Sequence, residues 1–180
     1  MKTLVKALII LVLIPLPVVL TCCTTMGGRG GQPGGSPPVI TNSFASKELS
    51  PGDIWKIYVE ANDPDGDMRQ FVCAIKQVGY GDYSADYVVI KKPHREKMKG
   101  YLAFYSGAGG GFRLGEWTQL TLTLYIRDRD RNTSDKVVFP LVLSRGSKQG
   151  PPLPPFNTGG LDRLGTIATE LKDPHGGYSF

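Results

Sequence analysis

The strongest constraint on the fold of this chain is a two-residue alternation of apolar and polar side chains in TQLTLTLYIRD, residues 118–128. Successive residues of a β-strand face opposite sides of the sheet. The stretch therefore predicts a strand with one buried and one solvated face, which is typical of an antiparallel sheet. The two faces would be formed by Leu120, Leu122, Leu124 and Ile126 and by Thr121, Thr123, Tyr125 and Arg127.

Six further stretches carry strand signals, and DIWKIYVEA, residues 53–61, alternates almost as cleanly. The other five are PVITNSFAS (38–46), RQFVCAIKQV (69–78), ADYVVIKK (85–92), GYLAFYS (100–106) and KVVFPLVLS (136–144). Turn residues separate these stretches, and helical periodicity is absent. Seven short strands of this kind predict an all-β sandwich over residues 39–145. Pro140 has no backbone N–H, so the last strand is predicted to lie at an edge or to contain a bulge.

Residues 1–23 predict a secretory leader. Lys2 and Lys6 precede an apolar run that ends in Cys22 and Cys23, and its uncharged part, residues 7–21, is shorter than the ~20 residues of a spanning helix. The end of this run resembles the lipobox of bacterial lipoproteins, which implies acylation of Cys23 or, alternatively, of Cys22. That resemblance implies export and a lipid anchor in the cell membrane or the outer membrane. Cleaved secretion and an uncleaved anchor are the alternatives.

Segments rich in Gly and Pro flank the predicted sandwich. Residues 24–38 predict a flexible tether, since they cannot bury apolar area. Residues 146–180 form a tail in which apolar side chains recur at helical spacing, and this spacing predicts a short helix over about residues 160–172. The helix would pack on the sandwich or bind a partner. Its apolar residues are Leu161, Leu164, Ile167, Ala168 and Leu171.

Residues 39–145 resemble the immunoglobulin-like sandwiches of bacterial surface proteins, of the cadherin-like and PKD-like kind. The resemblance lies in PPVI (37–40), LSPGDIWKIYVEANDPDGDM (49–68) and LYIRDRDRNTSDKVVFPLVL (124–143). It implies a seven-stranded, antiparallel immunoglobulin-like sandwich, but a fold of this kind does not define a function. The Cys…Trp…Cys pattern of antibody domains is missing, so Cys73 is predicted to be a buried free thiol.

Two acidic turns, in NDPDGD (62–67) and RDRDRNTSD (127–135), predict a metal site. In an immunoglobulin-like sandwich the loops that contain them, B–C and F–G, lie at the same end. Calcium takes six to eight oxygen ligands, many of them from carboxylates, so calcium is the predicted cofactor. The candidate ligands are Asp63, Asp65, Asp67, Asp128, Asp130, Asn132 and Asp135.

The alternative is that these acids are ordinary turn residues. Four interleaved arginines would then neutralise them, namely Arg69, Arg127, Arg129 and Arg131. An EF-hand is excluded, because Met68 and Ala74 occupy the positions, counted from Asp63, that need Gly and Glu.

The remaining sequence argues against catalysis and against nucleic-acid binding. The net charge is +5, but the densest basic run, residues 91–97, falls short of a nucleic-acid groove. The two histidines, His94 and His175, belong to no catalytic motif, and GAGGG (107–111) lacks the Lys of a P-loop. The sequence therefore predicts a non-catalytic, membrane-anchored binding or adhesion module, on the cell surface or in the periplasm, for a protein or envelope component.

A carbohydrate-binding accessory domain is the alternative function. It would require exposed tyrosines on a shared face, because aromatic rings form the platforms on which sugars stack. The candidates are Tyr80, Tyr83, Tyr87, Tyr101 and Tyr105.

Overall fold

The computed structural model of the protein describes residues 34–106 and 117–172. The predicted leader with Cys22 and Cys23, most of the tether, the GAGGG stretch and His175 lie outside the described residues. Within the described part of the chain, no helix is long and apolar enough to cross a membrane.

Ten strands and one short 3-10 helix, Lys92–His94, make up the regular structure of the described residues. The strands are β1 (Val39–Ala45), β2 (Glu48–Leu49), β3 (Ile54–Asn62), β4 (Met68–Gln77), β5 (Gly81–Asp82), β6 (Asp86–Val89), β7 (Lys97–Tyr105), β8 (Gln119–Asp128), β9 (Val137–Leu143) and β10 (Asp162–Ile167).

The strands form two sheets. The first has the order β1-β3-β7-β10, and the second has the order β2-β9-β8-β4-β5, with β6 also paired to β4. Pairing is antiparallel except for β2 with β9 and β10 with β7, which are parallel. The predicted all-β, immunoglobulin-like sandwich is confirmed, and each of the seven predicted strands is present. The structure differs from the predicted seven-stranded antiparallel arrangement, because β2, β5 and β10 are additional strands and two of the pairings are parallel.

The core lies between the two sheets and is formed by the apolar positions of the alternating strands. In β8, Leu120, Leu122, Leu124 and Ile126 are all buried. Trp55 packs edge-on against Phe104 and Phe139, with ring centroids 6.4 and 6.5 Å apart, so its indole contacts both sheets. Its Nε1–H donates to the carbonyl of Ser46 at 2.8 Å, which satisfies the polar atom that burial would otherwise leave without a partner.

Cys73 is a free, buried thiol on β4, as predicted. Burial raises the pKa of this thiol, with the nearby Asp86 charge acting in the same direction. The side chain therefore acts as a small apolar core residue.

The predicted tail helix is wrong, because the segment forms β10 along the edge of β7. An isolated helix of this length is marginal in water, whereas the edge of β7 offers unpaired backbone groups. Gly100 makes the close approach possible, since a Cβ there would lie 2.3 Å from the carbonyl oxygen of Asp162. The tail therefore packs in cis, and it extends the sandwich beyond the predicted boundary at residue 145.

The tail also covers the outer surface of the first sheet. Phe156 is 1% exposed and packs on Tyr58, with ring centroids 5.6 Å apart. Tyr58 in turn contacts Phe44 and Tyr101 at 6.1 and 5.9 Å. Residues 146–161 are therefore not a simple spacer, because they bury aromatic area that the sheet would otherwise expose.

Pro140 lies in β9 opposite Thr121 of β8. On the other side of β9, β2 pairs only with Val142 and Leu143, so the proline lies where β9 is an edge strand. This agrees with the prediction from its missing N–H.

Candidate metal centre

The two predicted acidic turns lie at the same end of the sandwich. The first turn, residues 63–67, connects β3 to β4, and the second, residues 129–132, follows β8. Met68, the first residue of β4, pairs with Asp128, the last residue of β8. This pairing brings the two turns together, since the first turn ends where β4 begins and the second turn begins where β8 ends.

Three of the seven candidate ligands converge in this region. Asp63, Asp67 and Asp128 each direct one carboxylate oxygen toward a common point, and the three oxygens lie within 4.8 Å of one another. Asp63 and Asp128 are 1% and 2% exposed, and Asp67 is half-buried. Three carboxylates in so small and dry a space repel one another unless a proton or a cation intervenes.

Backbone and amide donors fix two of these carboxylates. Asp63 Oδ1 accepts the N–H of Asp65 at 3.0 Å. Asp128 Oδ1 accepts the N–H of Asn132 at 2.7 Å, and its Oδ2 accepts the side-chain amide of the same residue at 2.8 Å. The first turn is also tied to the residue that precedes β7, because the N–H of Asp63 donates to the carbonyl of Glu96 at 2.8 Å. The carboxylates are thus held in place by the turns that carry them.

Two oxygens of the cluster have no hydrogen-bond partner although both are buried, namely Asp63 Oδ2 and Asp67 Oδ1. A buried, unsatisfied carboxylate oxygen is costly, and most buried polar atoms in native structures are paired. These two atoms therefore need a proton, an ordered water or a cation as a partner. Their chemistry suits a hard divalent cation, which prefers carboxylate oxygen.

The electrostatics of Asp67 reflect the same crowding. Desolvation raises the pKa of its carboxyl group above the ordinary value of 3.8, and so do the Asp128 charge, the hydrogen bond that the protonated form would make with Asp63 and the Asp63 charge. The backbone N–H of Arg129 acts in the opposite direction. Asp67 thus holds its proton more tightly than an isolated aspartate does, because the third negative charge is poorly compensated.

The other four candidate ligands lie outside the group of three. Asn132 supports Asp128 through the bonds described above. The carboxylates of Asp65 and Asp130 are exposed and border the residues that precede β1. Asp135 is exposed too, and its carbonyl accepts the hydroxyl of Ser134 at 2.9 Å.

The interleaved arginines do not neutralise the two buried oxygens by hydrogen bonding, since neither oxygen has a donor. Arg69, Arg129 and Arg131 are exposed, and Arg127 is half-buried. No arginine therefore donates a hydrogen bond to Asp63 Oδ2 or Asp67 Oδ1, and the alternative that the arginines balance this cluster has no support at these two atoms.

Residues 34–36, which we call the N-terminal segment, also belong to this site and were not predicted from the sequence. The N–H of Ser36 donates to Asp65 Oδ2 in a short hydrogen bond, and the carbonyl of Gly34 accepts the side-chain amide of Asn132 at 2.8 Å. Pro38, two residues further on, is buried. The end of the predicted tether is therefore packed against both acidic turns. The run of glycines was the available signal, because only glycine fits where backbone approaches side chains this closely.

The tyrosines proposed for a sugar platform do not share one face. Tyr80 and Tyr83 stack on each other at 4.8 Å near Lys172, whereas Tyr87 lies on β6 of the second sheet. The other two, Tyr101 and Tyr105, belong to β7 of the first sheet and lie near Lys56 and Arg163. His94, the single histidine of the described residues, lies in the 3-10 helix.

Comparisons with known proteins show a distant structural likeness. No protein-family model matches the chain, and no curated protein matches it. Among solved structures, the PKD domain of an M14-like peptidase from a Thermoplasmatales archaeon aligns with 62% of this chain and with 99% of its own length. Its sequence identity to this chain is 14%, and the TM-score is 0.39.

Proposed function

We propose that the chain is a non-catalytic interaction module of the cell envelope whose loop end is held together by a bound calcium ion. The observation that carries this proposal is the pair of buried carboxylate oxygens without partners, Asp63 Oδ2 and Asp67 Oδ1, beside Asp128. A cation between the two acidic turns would pair both oxygens and cancel the repulsion among the three carboxylates.

Calcium fits these ligands better than magnesium or zinc. Oxygens bound to one calcium ion at 2.3–2.6 Å lie at most ~5 Å apart, and the three carboxylate oxygens lie within 4.8 Å of one another. Magnesium dehydrates reluctantly and keeps several waters, which suits a buried three-carboxylate site poorly. Zinc prefers Cys and His ligands, and neither residue type belongs to this group.

Envelope attachment is the second part of the proposal and is supported by the sequence alone. The apolar leader with Cys23, or alternatively Cys22, would carry acyl chains, each contributing ~0.8 kcal/mol per buried CH₂. The sandwich would then be tied to the membrane through its N-terminal end.

A partner-binding surface is available on the outer face of the second sheet. Tyr87, Val89 and Val138 are 53%, 66% and 56% exposed there. Three basic side chains of β4 and β8 are exposed or half-buried, namely Arg69, Lys76 and Arg127. An apolar face with an aromatic residue and cationic neighbours suits an acidic protein surface, since Tyr and Arg are enriched in such interfaces. The carbohydrate alternative is less well supported, because the tyrosines lie apart.

Calcium titration of the chain tests the metal site. Saturation at about 100 times Kd should add ~2.7 kcal/mol to the free energy of unfolding, which raises Tm by on the order of 10 °C. Calorimetry should give one calcium per chain. If Tm is the same in calcium and in chelator, the metal part of the proposal is wrong.

The partner surface has a separate test. Binding of the chain to cell-envelope preparations should weaken with salt. The double variant K76E/R127E should bind less than the wild type, and Lys148→Glu, an exposed lysine of the tail, should bind like the wild type. Equal loss in both variants would mean that net charge alone drives the binding, which contradicts a defined docking face.

A further inference from the structure

We infer that occupation of the metal site and docking of the N-terminal segment are thermodynamically coupled, so that calcium stabilises the docked position of residues 34–36. This inference rests on the proposed calcium site and extends it to a regulatory role. It is carried by the contacts of residues 34–36 with both acidic turns.

The N-terminal segment bridges the two turns. Ser36 binds the first turn through Asp65, and Gly34 binds the second turn through Asn132. Only one residue separates the two anchors, and a chain advances by at most ~3.6 Å per residue. Both hydrogen bonds can therefore form at the same time only while the turns stay at their present separation.

Each anchor of the segment also positions a carboxylate of the metal site. Asp65, whose carboxylate accepts the Ser36 N–H, donates its own N–H to Asp63. Asn132, which donates to the Gly34 carbonyl, also holds both oxygens of Asp128. A displacement of the Asp63 or Asp128 carboxylate would thus also displace Asp65 or Asn132, the residues that hold the segment.

Metal occupancy changes the force between the turns. Without a cation, Asp63 and Asp67 of the first turn region face Asp128 at the end of β8, and their charges repel across the gap. With a cation, the same groups attract a common centre. Calcium therefore favours the separation that the segment can bridge, and a docked segment in turn favours the separation that calcium needs. By thermodynamic linkage, calcium must stabilise the docked segment by the same free energy by which the docked segment stabilises calcium binding.

Gly35 allows the coupling to be tested without altering any candidate ligand. It has a φ of +82°, and a Cβ added there would lie 2.6 Å from Asp65 Oδ2. Gly35→Ala should therefore prevent docking of the segment while leaving the three carboxylates intact. Gly52→Ala is the matched control, because Gly52 has a φ of +94° and open space around its Cβ position.

The experiment measures two quantities on the full chain and on both variants. Calorimetry gives the calcium affinity, and NMR gives the hydrogen exchange of the Ser36 amide in calcium and in chelator. We expect calcium to slow exchange at Ser36 in the wild type. We expect Gly35→Ala to abolish that protection and to weaken calcium binding roughly fivefold or more, whereas Gly52→Ala keeps both properties.

The outcomes separate this inference from the function on which it rests. If Gly35→Ala binds calcium as tightly as the wild type, and calcium leaves exchange at Ser36 unchanged in the wild type, the coupling is wrong although the metal site stands. If the wild type binds no calcium, both the coupling and the metal site are wrong. Equal weakening in Gly35→Ala and Gly52→Ala would overturn the coupling, since backbone strain alone would explain it.

Discussion

Asp63 follows a strand of one sheet and Asp128 ends a strand of the other, yet one carboxylate oxygen of each lies within 4.8 Å of the other. These strands are β3 of the first sheet and β8 of the second. Both are nearly completely buried. A cation between them would join the two layers of the sandwich at a point where apolar packing has given way to polar turns.

Replacing Asp67 by asparagine should have opposite effects in chelator and in calcium. Without metal, Asp67→Asn removes one of three mutually repelling charges, so Tm should rise. With calcium, the variant has lost a ligand, so the rise in Tm that calcium gives the wild type should largely disappear. Thermal unfolding of the wild type and the variant in both conditions measures these four values.

Asp135→Asn is the control for that experiment. It removes the same charge from an exposed candidate ligand outside the group of three. We expect its response to calcium to match that of the wild type. A loss of the calcium response in Asp135→Asn as large as in Asp67→Asn would mean that general acidity, and not the cluster, determines binding.

The stability of the metal-free chain should depend on pH through Asp67. Its folded-state pKa is raised above the ordinary 3.8, so the native state binds this proton more tightly than the unfolded state. Between 3.8 and the raised pKa, the free energy of unfolding should fall as the pH rises. Urea denaturation in chelator at a series of pH values from 3.5 upward measures this slope.

Calcium should reverse that dependence. Metal ligands must be deprotonated, so calcium affinity should increase over the same pH range. The stabilisation by calcium should therefore be smallest in acid and grow toward neutral pH. A calcium effect that is constant across this range would argue that Asp67 is not a ligand.

Removal of the Phe156 ring should destabilise the whole sandwich. Phe156 is buried against Tyr58, and truncation of a buried phenylalanine costs on the order of 3 kcal/mol. Leu153 is 59% exposed in the same segment, so Leu153→Ala should change stability little. Urea denaturation compares the two, and equal small effects would show that the tail does not dock as an integral part of the domain.

Gly100→Ala should disrupt the pairing of β10 with β7. The added Cβ would lie 2.3 Å from the carbonyl oxygen of Asp162 and 2.9 Å from Cγ of Leu164, and neither the backbone nor the buried leucine can easily move away. Amide exchange across residues 162–167 should accelerate. Gly150→Ala, which meets open space, should leave that exchange unchanged.

The strands were predictable from sequence because one physical signal specifies them. In β8 the alternation of Leu and Thr determines which side chains enter the core, and no distant residue is needed to interpret it. The tail was mispredicted for the opposite reason. Leu164, Ile167 and Leu171 do have helical spacing, but the segment that carries them contains β10, and all three side chains are buried in the core. The free edge of β7 decided that outcome, and only the tertiary structure reveals it.

The candidate site was predictable in location but not in its choice of ligands. Asp63, Asp65 and Asp67 occupy alternate positions, and this spacing does not indicate which of the three aspartates are ligands. The turn distinguishes them, because Asp63 Oδ1 accepts the N–H of Asp65, and the Asp65 carboxylate is directed instead to Ser36. The role of residues 34–36 depends on contacts between distant parts of the chain, which no local pattern encodes.

The parallel pairing of β10 gives the domain a defined mechanical axis. β1 begins beside the acidic turns, with Val39 opposite Asn62, whereas β10 ends at Ile167, opposite Phe104 near the other end of β7. A pull on the two ends of the described chain would thus act along the strands in opposite directions. It would load the β1–β3 and β7–β10 hydrogen bonds in shear, so that many bonds must break together. Tension between the start of β1 and the end of β10 would therefore be resisted by these outer strands, whereas a sideways pull would break their hydrogen bonds one at a time.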